Sequence, residues 1–307
     1  MRLSYEEDFV EEAVLLCASG RHKAFSSLLI KRFHRAREKL YELLDPDERN
    51  TAFFRLHLEW FREWGLERLL TVPLKEFAGL PGALNVLAFR KSRRKNEEGT
   101  ELYVNEAGEQ TGVVAMHPEF LVTKVDVDAF LRRELMHLQD MVEPAFGYLP
   151  ELPVSGPSLN QARLARERYR LLWDVSIDGR LTSSGRATVA TKEQRWAEFA
   201  NTFSFWSVAR QQEIFESLWE NPTPTHDALA ELVTDPRQLH TSTSPRPGGP
   251  CPLCGFPTFA WATPASLAEP TLNAIRAEFA HWTPEQGACA RCVSIYRVNR
   301  NQVAAIV

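Results

Sequence analysis

Four cysteines near the C-terminus constrain this chain more than any other feature. They stand as two pairs, Cys251-Pro-Leu-Cys254 and Cys289-Ala-Arg-Cys292. Each pair can present two thiolates from one turn of backbone, and two such turns complete a tetrahedral set around one ion. The spacing predicts a structural zinc held by Cys251, Cys254, Cys289 and Cys292. The alternatives are a pair of disulfides or a redox-active Cys-x-x-Cys. Disulfides belong to oxidising compartments, and the acidic start, Met1-Arg2-Leu3-Ser4-Tyr5-Glu6-Glu7-Asp8, lacks a basic-then-apolar export pattern. A reduced, cytoplasmic setting is the expectation. The fifth cysteine, Cys17, lies in a Val-Leu-Leu-Cys run and reads as core.

A length of 307 residues predicts about two domains. No apolar run approaches the roughly 20 residues that cross a bilayer, so no membrane partner is expected. The net charge of −4 exerts no general pull toward nucleic acid. The one basic cluster, Arg90-Lys91-Ser92-Arg93-Arg94-Lys95, runs straight into Asn96-Glu97-Glu98-Gly99 and reads as a charged hairpin tip.

Hydrophobic spacing divides the chain into a helical section (1–80), a sheet-and-helix core with following helices (81–240) and a linker with the cysteine module (241–307). In the first, Phe9, Val10, Ala13, Val14 and Cys17 recur at helical spacing, as do Phe25, Leu28, Leu29, Phe33 and Leu40. His22, His34 and His57 fall here without a partner motif and read as core-edge or surface residues. Three short β-rich runs follow, at 83–89, 101–104 and 112–116, with Asn105-Glu106-Ala107-Gly108 as the turn between the last two. A helix is expected from Asp126 or Asp128 to about Val142, stopping before Pro144. A long helix is expected from a capping box at Ser158 to a C-terminal stop at Gly179. Further helices are expected over about 192–219 and 226–233. The Thr241–Pro250 stretch reads as a linker.

The 126–142 helix carries Leu131-Arg132-Arg133-Glu134-Leu135-Met136-His137-Leu138. Leu131, Leu135, Leu138 and Val142 form its apolar stripe, with Glu134 and His137 as i,i+3 neighbours beside it. A carboxylate and an imidazole held together on a partly buried face can bind a metal or move a proton. In this helix after a small sheet, the chain resembles the zincin metallopeptidases, whose signature is His-Glu-x-x-His. Laid on Arg133-Glu134-Leu135-Met136-His137, the resemblance implies Glu134 as general base and His137 as a metal ligand. The first ligand position holds Arg133, which has no lone pair to give, so the implied site is degenerate. A zinc-ribbon tail after such a core also resembles the domain order of the SprT-like family. A third ligand for a second metal would come from Glu143 or, one helix on, from Asp174 with Asp178 beside it. The competing reading is structural: Arg163, Glu167, Arg170, Asp174 and Asp178 also spell an ion-pair ladder along an exposed helix face, and Arg133 could salt-bridge Asp174 or Asp178 in the place of a metal.

Glu278-Phe279-Ala280-His281 repeats the Glu-x-x-His spacing, but Leu272, Ile275, Phe279 and Trp282 mark the buried face and turn that pair outward. Phe256, Phe259, Trp261, Arg291, Tyr296, Arg297 and Arg300 could serve single-stranded nucleic acid, yet Phe259 and Trp261 alternate as if covering a ribbon core, which favours a protein partner. The expectation is an α+β protein, mostly helical, with a zincin-like sheet on a motif helix and a zinc-ribbon-like C-terminal module. Its function is either that of a degenerate metal-dependent hydrolase or that of a non-catalytic scaffold.

Overall fold

The computed structural model describes residues 1–19, 25–123, 127–152, 159–220, 223–234, 245, 247–262, 267–279 and 282–303. His22, Ser158, His281 and half of the 241–250 linker lie outside them. The chain separates into two units, Met1–Tyr148 with Leu181–Val189, and Leu149–Arg180 with Ala190–Val307. The N-terminal helices therefore share a unit with the sheet instead of standing apart as 1–80.

In the first unit, strand β1 (Arg2–Tyr5) leads into helices α1 (Glu7–Ala18), α2 (Ser27–Lys39), α3 (Pro46–Glu63), α4 (Leu66–Leu74) and α5 (Leu80–Ala83). Their ends follow local chemistry. The Ser26 hydroxyl accepts from the Leu29 amide, and the Asp45 carboxylate accepts from the amides of Asp47 and Glu48 ahead of α3. Strands β2 (Val86–Lys91), β3 (Gly99–Val104) and β4 (Gln110–Met116) complete a four-stranded sheet in the order β1-β2-β4-β3. β1 and β4 run parallel to β2, and β3 pairs antiparallel with β4. The turn at Asn105 is as expected: its side-chain oxygen accepts from the amides of Ala107 and Glu109, and Gly108 takes a φ of 77°.

Two features of the sheet differ from expectation. β1 is a fourth strand whose parallel partner lies more than 80 residues away, and its four residues carry no periodic signal. The basic 90–95 cluster is not a hairpin tip, because β2 and β3 are not neighbours. It begins at the end of β2, and the segment after it carries the chain across the end of β4 to the far edge.

Beyond the short helix α6 (Glu119–Thr123), α7 (Val127–Val142) lies on the sheet. Leu131, Leu135 and Leu138 are fully buried in one core with Phe9, Phe61, Leu87 and Met116. A side chain at Gly112 would come within 2.6 Å of Leu138, so that glycine in β4 seats the helix. Burial also sets a titration. His57 of α3 is 1% exposed between the rings of Phe33 and Phe53. Desolvation lowers its pKa from the ordinary 6.5.

Most of the second unit's first helix, α8 (Leu159–Ser183), runs straight through Gly179, which is not the expected C-terminal stop. A β-carbon at Gly179 would lie 2.1 Å from the carbonyl oxygen of Trp219, so the glycine admits a neighbouring backbone. Residues 171–179 are all buried, including Asp174, Ser176 and Asp178. The expected helix over 192–219 is two, α9 (Lys192–Thr202) and α10 (Val208–Glu220). The break is capped from both sides. The Ser207 hydroxyl accepts from the Arg210 amide, and the Gln211 amide group donates to the carbonyls of Ala200 and Phe203. Phe203 stacks on Trp206 across the bend at 4.4 Å. Helix α11 (His226–Thr234) follows.

The cysteine module contains two strand pairs, β5 (Gly249–Pro250) with β6 (Pro257–Thr258) and β7 (Trp261–Ala262) with β8 (Ala288–Cys289). Helix α12 (Glu269–Glu278) precedes β8 and α13 (Ala290–Val303) follows it. Ile275, Phe279, Trp282 and Val293 form its core with the cysteines.

Two outcomes test this packing. Alanine is ordinarily better than glycine inside a helix by about 1 kcal/mol. Gly179→Ala should nonetheless destabilise the protein by about 3 kcal/mol in urea titration, because the Trp219 backbone must move. The second is the acid dependence of His57. Its depressed pKa contributes stability that is fully present above 6.5 and lost as pH falls through the lowered folded value. Thermal midpoints should fall between about pH 7 and pH 5, and His57→Phe should flatten that fall.

Candidate metal centre

Cys251 stands at the end of β5, where its amide donates to the Phe256 carbonyl at 2.9 Å and the Gly255 amide donates to the Cys251 carbonyl at 2.7 Å. Gly255 takes a φ of 75°, a left-handed turn that brings Cys254 round beside Cys251. The second pair is built differently, from the end of β8 and the first turn of α13. The Cys289 amide donates to the Cys251 sulfur at 3.3 Å, and the Cys292 amide donates to the Cys289 sulfur at 3.4 Å. These N–H···S bonds and the positive end of α13 favour thiolate over thiol.

All four Sγ atoms lie within 4.8 Å of one another. This is the one such group of metal-ligating side chains among the described residues. Cys254 and Cys289 are 3.9 Å apart, against about 3.8 Å for two sulfurs on a tetrahedral ion with 2.3 Å bonds. A disulfide would need about 2.05 Å, and all five cysteines are free thiols. The cluster can hold a metal ion. Without a cation the thiols divide their protons unevenly. A hydrogen bond from Cys254 pulls Cys251 down to about 7 and neighbouring thiols hold Cys289 below the thiol range, whereas the bonds from Cys251 push Cys254 and Cys292 upward. A divalent ion would remove that conflict by stabilising every thiolate together.

The α7 residues are brought together differently from a metal site. Glu134 is 1% exposed, and one of its oxygens accepts from Arg133 Nη2 and Nε at 2.7 and 2.9 Å. The other accepts from the hydroxyl of Thr100 on β3 at 3.0 Å, and the same hydroxyl reaches the Glu134 carbonyl. Arg133 packs over the Phe130 ring with its guanidinium folded back on the adjacent carboxylate. His137 and Asp140 are buried on the same helix, and Glu143 lies exposed just beyond its end. Thr100 is the residue that sequence reasoning misses, since it meets Glu134 only through β3 packing against α7.

Asp174 and Asp178 are not part of an exposed ladder. Arg163 and Glu167 do pair at the surface, but the two aspartates are buried and share Arg195 of α9, at 3.7 Å and 2.8 Å. Burial alone would lower the Arg195 pKa, yet the two carboxylates hold it above the ordinary guanidinium value. Glu278 accepts from the Tyr296 hydroxyl, which gives it a local structural partner. Phe259 does not cover the module core: it is 82% exposed, and Phe256 is 60% exposed.

Among the described residues no helix is long and apolar enough to cross a membrane. Compared with protein-family models, with curated proteins and with solved structures, the chain matches none.

Chelation should make four further thiols per chain reactive toward a thiol reagent, and Cys289→Ser should abolish stoichiometric metal, read by elemental analysis. A chain with intact cysteines that binds no metal and keeps its fold under a strong chelator would refute the site.

Proposed function

We propose that this is a zinc protein in which the ion at Cys251, Cys254, Cys289 and Cys292 is purely structural, and in which the α7 unit is a non-catalytic relative of zincin hydrolases that serves as a scaffold for a protein partner. An all-cysteine set leaves no position for water or substrate, which is the mark of a structural zinc. The observation that carries the non-catalytic reading is the pairing of Glu134. A general base needs a free carboxylate facing a metal-bound water. Here both oxygens are engaged, one by Arg133 and one by Thr100, and the arginine stands at the position of the first ligand. A buried carboxylate held this way is compensated without any ion. A short sheet ahead of the motif helix supports descent from such a core. Asp174, shared with Asp178 by Arg195, is likewise compensated by a guanidinium.

The purified protein is expected to carry one zinc per chain, lost in Cys289→Ser and retained in His137→Ala, with no hydrolysis of unfolded protein substrates. Arg133→His is expected to raise the metal content toward two while the protein stays folded. Two metals in the natural chain, one of them lost in His137→Ala, would overturn the non-catalytic reading. A folded Arg133→His variant with unchanged metal content would overturn the zincin descent.

A further inference from the structure

The N-terminal helices line a half-open cavity of about 220 Å³ that plays no part in either site above. For scale, a cavity of about 150 Å³ admits benzene. Its walls carry charges of both signs. Glu7 and Glu11 come from successive turns of α1, and Arg37 comes from α2. None of the three belongs to an ion pair among the described residues, so the two acids and the guanidinium face one space without meeting across it. Two carboxylates at i,i+4 repel one another unless a cation lies between them.

The geometry of Arg37 is equally specific. Its guanidinium lies 5.5 Å from the Tyr41 ring and 5.4 Å from the Phe53 ring. The two rings hold the cation by its charge and leave its N–H groups to match a carboxylate. The buried Arg37 Nε has no hydrogen-bond partner. His57, which also lines the cavity and is 1% exposed, bonds to the Phe53 backbone through one ring nitrogen, while its buried Nε2 has no partner. A neutral imidazole that donates through Nδ1 offers Nε2 as an acceptor. The cavity is thus lined by a guanidinium, two carboxylates and an aromatic wall.

We infer that this cavity binds a small zwitterion of the free α-amino-acid class, its carboxylate on Arg37, its ammonium between Glu7 and Glu11, and an apolar side chain against Tyr41 and Phe53. The alternative occupant is ordered water, which also fills polar cavities of this size. The inference does not rest on the metal-centred reading.

The test uses the full chain and three probes that differ only in charge: L-leucine, 3-methylbutylamine, which lacks the carboxylate, and 4-methylpentanoate, which lacks the ammonium. Titration calorimetry should show leucine bound at least ~10-fold more tightly than either analogue, since each analogue forfeits one charge-assisted contact. Arg37→Gln should erase the preference for leucine over the amine, and Glu11→Gln the preference for leucine over the acid, with thermal melts confirming that both variants fold. The Glu11→Gln arm stands alone if Arg37→Gln is unstable. Equal binding of all three probes, or no binding of leucine at millimolar concentration to the folded chain, would reduce the cavity to a water-filled cleft.

Discussion

Charge taken out of water must be compensated where it lies, and the described interior of this protein is organised by that requirement. An isolated buried carboxylate or thiolate costs several kcal/mol or more, so each one dictates its neighbours. Glu134 requires Arg133 and Thr100, which ties the middle of α7 to the edge strand β3. Asp174 and Asp178 require Arg195, which ties α8 to α9. The four cysteines of the C-terminal module can hold a metal ion, which would be the counter-charge to their thiolates. In the first two cases an arginine is the counter-charge, and in the third four sulfurs stand close enough together to share a metal ion.

The contrast has a functional consequence. A catalytic metal site keeps charge under-compensated so that a substrate or water can complete it. On α7 a guanidinium lies against the buried Glu134 carboxylate and compensates it. In the cysteine module the sulfurs leave no vacant corner. In the α1–α2–α3 cavity Glu7, Glu11 and Arg37 line one space without an ion pair between them, and incomplete compensation of that kind is what a ligand can exploit.

A metal ion at the cysteine cluster would serve the module's stability as well as its charge. Its core rests on a few side chains, among them Leu272, Ile275, Phe279 and Trp282, and its strands are two residues long. Elements that short do not persist on backbone pairing alone. Metal binding at such a site would be part of the folding free energy. The same economy leaves Phe256 and Phe259 outside the core.

Local signals were legible in the sequence. The Cys-x-x-Cys pairs, the helical stripe of Leu131, Leu135 and Leu138, the Asn105 turn and the span of α7 all follow from spacing or from side chains acting within a few residues. What tertiary structure alone decided are the long-range events. β1 becomes a strand because β2 offers it a parallel edge, Gly179 stays inside α8 because the Trp219 backbone passes there, and the 192–219 helix bends so that Phe203 and Trp206 can stack. Glu134 is sealed by a threonine from β3, and Asp174 by an arginine from α9. A sequence records which side chains can neutralise or ligate one another, because that is set by their chemistry. Which of them meet is set by packing between segments distant in the chain, and no local pattern carries that information.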